Sequence, residues 1–242
     1  MGRYFVEFAY DGTDYHGWQI QPNGNSVQEE LQKALSTILR QSISVVGAGP
    51  VSYTHARRMT AHFETDTEAD CIQLVYKLNR LLPRDIAVRS VFPVAGDMHA
   101  RFSATLRTYH YYIHTSKNPF LRKYSCEMHY DLDFDLMNKA AGYLLEVKDF
   151  GSFCKAHSDV KTTLCDVSEA VWVRDGENAW HFRISANRFL RNMVRAVVGT
   201  LIEVGRHRLT LEQFREVVAS GNRSSAGESM PGNALFLEDV KY

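Results

Sequence analysis

The chain has 242 residues, enough for one large domain or two smaller units with a sizeable interior. Lys plus Arg and Asp plus Glu number 28 each, so total charge gives no warrant for a nucleic-acid partner, and a binding patch must come from distribution. No run of apolar residues is long enough to span a membrane, and Met1-Gly2-Arg3 leads straight into a strand-like stretch; the sequence predicts neither a membrane span nor a signal peptide. Four scattered cysteines suit a reducing, cytoplasmic setting. Arg outnumbers Lys by roughly two to one, and its planar fork is the better ligand for phosphates and bases.

Arg3 to Tyr10 alternate, with Tyr4, Val6, Phe8 and Tyr10 on one side, which predicts a strand. Asp11-Gly12-Thr13-Asp14 is turn chemistry, and an ordered loop follows from Tyr15 to Pro22. Ser26-Val27-Gln28-Glu29 has the spacing of a capping box and opens a helix whose apolar face is Val27, Leu31, Ala34, Leu35, Ile38 and Leu39. Strands are expected at Ile43 to Gly47 and Met59 to Glu64, then a helix from about Ala69 to Leu82 that Pro83 ends. Ile86 to Val94 closes the first half as a strand. The order is β-α-β-β-α-β, the ferredoxin-like pattern.

The second half repeats that order more loosely. Ser103 to His114 reads as a long aromatic strand, Asp133 starts a helix, and strands follow at Leu164 to Val173 and Trp180 to Ala186. A helix is expected from about Phe189 to Val204, another after Thr210-Leu211-Glu212-Gln213, and a last strand from Ala234 to Val240. The likeliest loops cover 23–25, 115–124, 155–163 and 222–232. The expected fold is α+β: two ferredoxin-like halves, 1–100 and 101–242, with joined antiparallel sheets around a central cleft.

Three stretches could carry chemistry. The first is Tyr10-Asp11-Gly12-Thr13 with Tyr15, Gly17-Trp18-Gln19 and Gln21-Pro22. Clustered Tyr, Trp and Gln suit stacking and hydrogen bonding on unpaired RNA, although aromatics after a strand more often plug the end of a sheet. The second is Arg101-Phe102-Ser103-Ala104 with Arg107-Thr108-Tyr109-His110-Tyr111-Tyr112. On a strand Arg107, Tyr109 and Tyr111 share one face, and His110 and Tyr112 the other. The third runs from Asn187 to Leu201, where Arg188, Arg191 and Arg195 would line one helix face opposite Leu190, Val194, Val197 and Leu201. A solvated basic face is the ordinary explanation for such a row. Against it, Arg195 sits among Met193, Val194 and Val197, which implies partial burial and a partner. Arg57 and Arg58 could extend a phosphate-binding surface or be ordinary surface cations. Cys126-x-x-His129 and Cys154-x-x-His157 have zinc-like spacing, but i and i+3 on a strand point to opposite faces, so the pairs give no warrant for a metal.

All three stretches, in this order, resemble the TruA-type tRNA pseudouridine synthases, and the likeness extends from Arg3 to Tyr242. The resemblance implies an isomerase that converts uridines 38 to 40 of the tRNA anticodon arm to pseudouridine. It implies a homodimer that uses no metal or cofactor. Its central cleft would hold RNA, with Tyr109 over the target uracil and Arg195 beside the nucleophile. Arg107, Arg188, Arg191, Arg57, Arg58 and His55 would be further substrate contacts. In the family an Asp attacks a uridine flipped out of the stack, and the base detaches, turns and rejoins through carbon.

That Asp is missing. The family motif reads Gly-Arg-Thr-Asp-Ala-Gly-Val-His-Ala; here Gly49 and His55-Ala56 remain, but Pro50-Val51-Ser52-Tyr53-Thr54 replace the six residues between them. The nucleophile position falls at Val51 or Ser52. Valine has no nucleophile, and an isolated Ser hydroxyl without a base is a poor one. Two accounts stay open: an error in the sequence of an ordinary enzyme, or a variant that binds tRNA without modifying it. Retention of Tyr109 and Arg195 favours the first.

Overall fold

The computed structural model describes residues 2–22, 24–49, 54–155 and 160–242. Its class is α+β, as the sequence predicts. The chain divides into two compact units, Met1–Thr105 with Phe236–Tyr242, and Leu106–Leu235.

In the first unit, β1 (Gly2–Tyr10) lies between β3 (His55–Thr65) and β4 (Ile86–Val94), antiparallel to both. The short β2 (Val45–Gly47) pairs with the far part of β3, from Ala61 to Phe63. Helices α1 (Val27–Leu39) and α2 (Cys71–Leu81) supply Leu31, Leu35, Leu74 and Leu78 to a core shared with Tyr4, Val6 and Phe8 of β1, all buried. Ser26 Oγ accepts the Glu29 amide at 3.2 Å and starts α1, while Asp70 Oδ1 does the same for Gln73 at 3.1 Å in α2. Arg40 at φ 53° ends α1 in the left-handed region. β3 starts four residues earlier than the alternation suggests, because Ala56 pairs with Tyr10 while Arg57 and Arg58 break the pattern.

On β3, His62 is 7% exposed and its Nδ1 accepts the Ala100 amide at 3.1 Å. Burial, with the charge of Arg3 and the ring of His99 alongside, pushes its pKa down to about 4; Glu64 opposes this. Between that value and the unfolded value near 6.5 the unfolded chain binds more protons. The stabilisation is therefore complete above roughly pH 6.5 and is lost as pH falls toward 4. Melting temperature should drop across that window, and His62→Gln, a neutral residue that can still accept, should flatten the drop. A slope that the substitution leaves unchanged would assign the acid sensitivity to carboxylates.

In the second unit, β8 (Ala179–Ala186) lies between β5 (Leu106–His114) and β7 (Val167–Arg174), antiparallel to both, and β6 (Cys126–Glu127) runs parallel to the end of β5. The unit also contains the helices α3 (Phe134–Tyr143), α4 (Met193–Gly205) and α5 (Leu211–Ala219). Its core joins Tyr111, Ile113, Phe182, Ile184 and Trp172 from the strands to Met137, Val197, Leu201 and Phe214 from the helices. Thr210 and Gln213 form a reciprocal capping box at α5, with bonds of 3.1 and 2.9 Å.

The start of α4 corrects the expected helix. It begins at Met193 rather than Phe189, because Asn192 takes φ 69°, a left-handed conformation that Asn tolerates and a continuous helix does not. Arg188 and Arg191 therefore precede the helix, and only Arg195 of the expected row lies on it. A strap of residues 226–231 then crosses α4 at Gly199. A Cβ there would lie 1.9 Å from the Glu228 carbonyl oxygen, so only glycine permits this approach.

The chain ends in β9 (Leu235–Lys241), which returns to the first unit and pairs in parallel with β3 at His55↔Phe236 and Ala56↔Leu237. Tyr242 seals the end: its ring packs 4.9 Å from Phe5, and its hydroxyl donates to the Ala100 carbonyl at 2.7 Å.

Candidate functional site

β5 places two tyrosines toward the core of the second unit. Tyr111 is fully buried and donates to the Pro231 carbonyl at 2.9 Å; burial raises its pKa far above the usual phenol range. Tyr109, half-buried, meets the edge of Phe189 at 5.0 Å and 83°, and burial pushes its pKa up to about 12. Tyr109 is thus a neutral phenol with a held ring, suited to stacking on a base. Arg107 Nη1 donates to the Asn187 carbonyl at 2.7 Å, tying β5 to the loop that leads into α4.

Arg195 lies in the first turn of α4. Its Nε donates to the Met230 carbonyl, and the Met230 amide returns a bond to the Arg195 carbonyl at 3.1 Å. Among the described residues no carboxylate pairs with it, and burial lowers its pKa. A half-buried cation met by backbone oxygen has unused donors, so it can take a carboxylate or phosphate. The strap that supplies these carbonyls was not visible as a functional element in the sequence. The close approach of Gly227 to Gly199 that seats it joins residues far apart in the chain. Arg188 is half-buried and Arg191 exposed, both in the turn before the helix.

In the first unit the positions matching the family nucleophile, Val51 and Ser52, lie outside the described residues. Gly49 and Thr54 flank them. A small cavity of about 80 Å³ is lined by Trp18, Gln19, Gln28, Gly47, Gly49 and Arg101, among others. Trp18 and Tyr15 are 2% and 6% exposed, and Tyr15 donates to Asp85 Oδ1 at 2.8 Å, so both rings are packed into the first unit. His55 is also buried, stacked on Phe236 at 4.5 Å. Its Nδ1 is 3.0 Å from the Gly12 amide and 2.9 Å from Asp11 Oδ1. One nitrogen cannot accept from the first while donating to the second, so the tautomer decides which contact is a bond. Arg57 and Arg58 pair with Glu238 and Asp239, each at 3.3 Å. Such exposed pairs are worth little and exchange easily for other anions.

Thr54 is 3% exposed, and its hydroxyl has no hydrogen-bond partner among the described residues. The resembling motif has Val at this position, which fills the same shape without a polar atom. Thr54→Val should raise stability by about 1 kcal/mol. An unchanged melting temperature would mean that the hydroxyl is satisfied after all.

Cys126 lies on a two-residue strand, Cys154 is buried, and His157 lies outside the described residues. Among the described residues no group of three or more His, Cys, Asp or Glu is placed to hold a metal ion. Among them, too, no helix is long and apolar enough to cross a membrane.

A family model described as tRNA pseudouridine synthase matches residues 140–242. The whole chain is 56% identical to tRNA pseudouridine synthase A of Bacteroides thetaiotaomicron, covering 91% of that protein. It is 54% identical to the same-named protein of Bacteroides fragilis, with 99% of this chain and 96% of that one aligned. The likeness persists at 36% identity to the protein of Bacillus pumilus, over 97% of this chain and 96% of the relative. Relatives at these identities match the chain end to end, including the strand of Tyr109 and the helix of Arg195, and so the chain belongs to the tRNA pseudouridine synthase family of isomerases.

Proposed function

We propose that the chain binds the anticodon arm of tRNA as a cytoplasmic homodimer, without metal or cofactor, and that as written it forms no pseudouridine. In this reading Tyr109 stacks on the target uracil at the positions equivalent to uridines 38 to 40. Arg107, Arg188 and Arg191 contact the strand, and Arg57 and Arg58 extend the phosphate surface. Arg195 matches the Arg that flanks the nucleophilic Asp in the family. The observation that carries the reading is Arg195: a cation drawn partly out of water and met by a backbone carbonyl where the family supplies a carboxylate. The second reading, an ordinary active enzyme whose loop sequence is in error, is favoured by the intact Tyr109 and Arg195.

Resequencing the stretch that encodes Gly49 to His55 separates the two, and tritium release from uridine-labelled tRNA tests the chain as written. No release, together with binding that weakens steeply with salt, is the expected result, since phosphate contacts displace counterions. Arg191→Ala should reduce the salt slope by about one. Turnover by the chain as written sinks the claim of a silent loop, and salt-insensitive binding returns the arginines to an ordinary solvated surface.

A further inference from the structure

The segment after β4 is fixed at nearly every residue. Met98 accepts from Arg3 Nη1 at 3.0 Å, and Ala100 is held through its amide by His62 and through its carbonyl by Tyr242. His99 Nδ1 accepts the amides of Arg101 and Phe102 at 3.1 and 3.3 Å, and the Ser103 hydroxyl accepts the His99 amide at 2.9 Å. All this order leaves Phe102 in water, 76% exposed. Its ring lies 4.4 Å from the His99 ring, with the Arg101 guanidinium 5.5 Å away on its face. Core packing does not explain an immobilised backbone that presents an exposed aromatic ring. Arg101 also lines the cavity that includes Gly49, the residue at which the family's nucleophile loop begins.

We infer that Phe102 is a stacking platform for a base of the bound RNA strand near the uridine site, with Arg101 directed at the adjoining phosphate. An aromatic ring suits this because every base has a π-face, and a ring held in advance loses little freedom on binding. Arg beside it supplies the charge that attracts the backbone and can itself stack. Phe102 is thus a positioning residue that presents the strand to the reacting groups. The inference rests on the reading that the chain binds the anticodon arm.

The test is fluorescence anisotropy with a short anticodon stem-loop RNA. Phe102→Ala and Phe102→Leu should each weaken binding about tenfold, while Phe102→Trp keeps it. Arg101→Gln should lower the slope of log affinity against log salt by about one. Phe102→Leu keeps the apolar volume, so the question stays open to decision even if alanine loosens the segment. If Phe102→Ala binds as tightly as the unchanged chain, or leucine serves as well as phenylalanine, the platform is overturned while anticodon-arm binding stands. If the unchanged chain does not bind the stem-loop, both fall together.

Discussion

A chain in which the family's Arg-Thr-Asp-Ala-Gly-Val replaces Pro50-Val51-Ser52-Tyr53-Thr54 should release tritium from uridine-labelled tRNA. The restored Asp supplies the missing nucleophile. In the family such an Asp is flanked by the Arg that Arg195 matches, and an adjacent cation favours the ionised carboxylate that attack needs. Arg195 already stands on α4 with donors to spare, and Tyr109 is already held as a neutral phenol. The same change should raise stability by about 1–3 kcal/mol, the scale of a charge-assisted bond regained. Removing the Thr54 hydroxyl, which has no partner among the described residues, should act in the same direction. Thermal melts and the tritium assay on one repaired protein read both effects. A repaired protein that melts no higher and stays inactive places the damage beyond this loop.

The second large effect is expected at Gly199. Helix propensity favours alanine there by about 1 kcal/mol, so a reading of the sequence alone predicts a gain. The structure reverses the sign. A methyl 1.9 Å from the Glu228 carbonyl must push the strap away. The strap is held to α4 and its flanks by the Gly227 amide on Thr200 Oγ1 at 2.9 Å, by the Met230–Arg195 pair of bonds and by Asn192 on Ser229. Losing all four of these bonds at about 1 kcal/mol each, against about 1 kcal/mol of propensity, gives a net cost of about 3 kcal/mol. That corresponds to a fall of about 6–12 °C in melting temperature. Arg195 would lose its carbonyl at the same time, so Gly199→Ala in the repaired chain should also lower activity. A variant that melts at or above the parent would show that the strap moves freely.

Periodic segments were legible in the sequence, and contacts between distant residues were not. β4 occupies the residues its alternation marks, and α1 and α2 start within two residues of their expected positions, because capping side chains and apolar stripes are local signals. The start of α4 was misplaced by a single left-handed residue, Asn192, whose side chain looks no different in a helix or a turn. Tyr109 and Arg195 came from resemblance. The strand and helix around them give no hint that the carbonyls of Pro231 and Met230 receive Tyr111 and Arg195. Burial of His55 was equally hidden, since the ring that covers it, Phe236, lies at the far end of the chain.

The return of β9 to β3 has a consequence for synthesis. The first unit is discontinuous: its strand edge at His55 and Ala56 is completed only by Phe236 and Leu237. At the usual pace of about 5–20 residues per second, a ribosome leaves that edge open for roughly ten seconds or longer. An open edge is a template for pairing with any other nascent strand. Arg57 and Arg58 stand immediately beyond it, and uncompensated charge on an edge discourages such pairing. Glu238 and Asp239, which neutralise them, arrive on the very strand that closes the edge. The charges thus guard the sheet while it waits and are cancelled when it is complete.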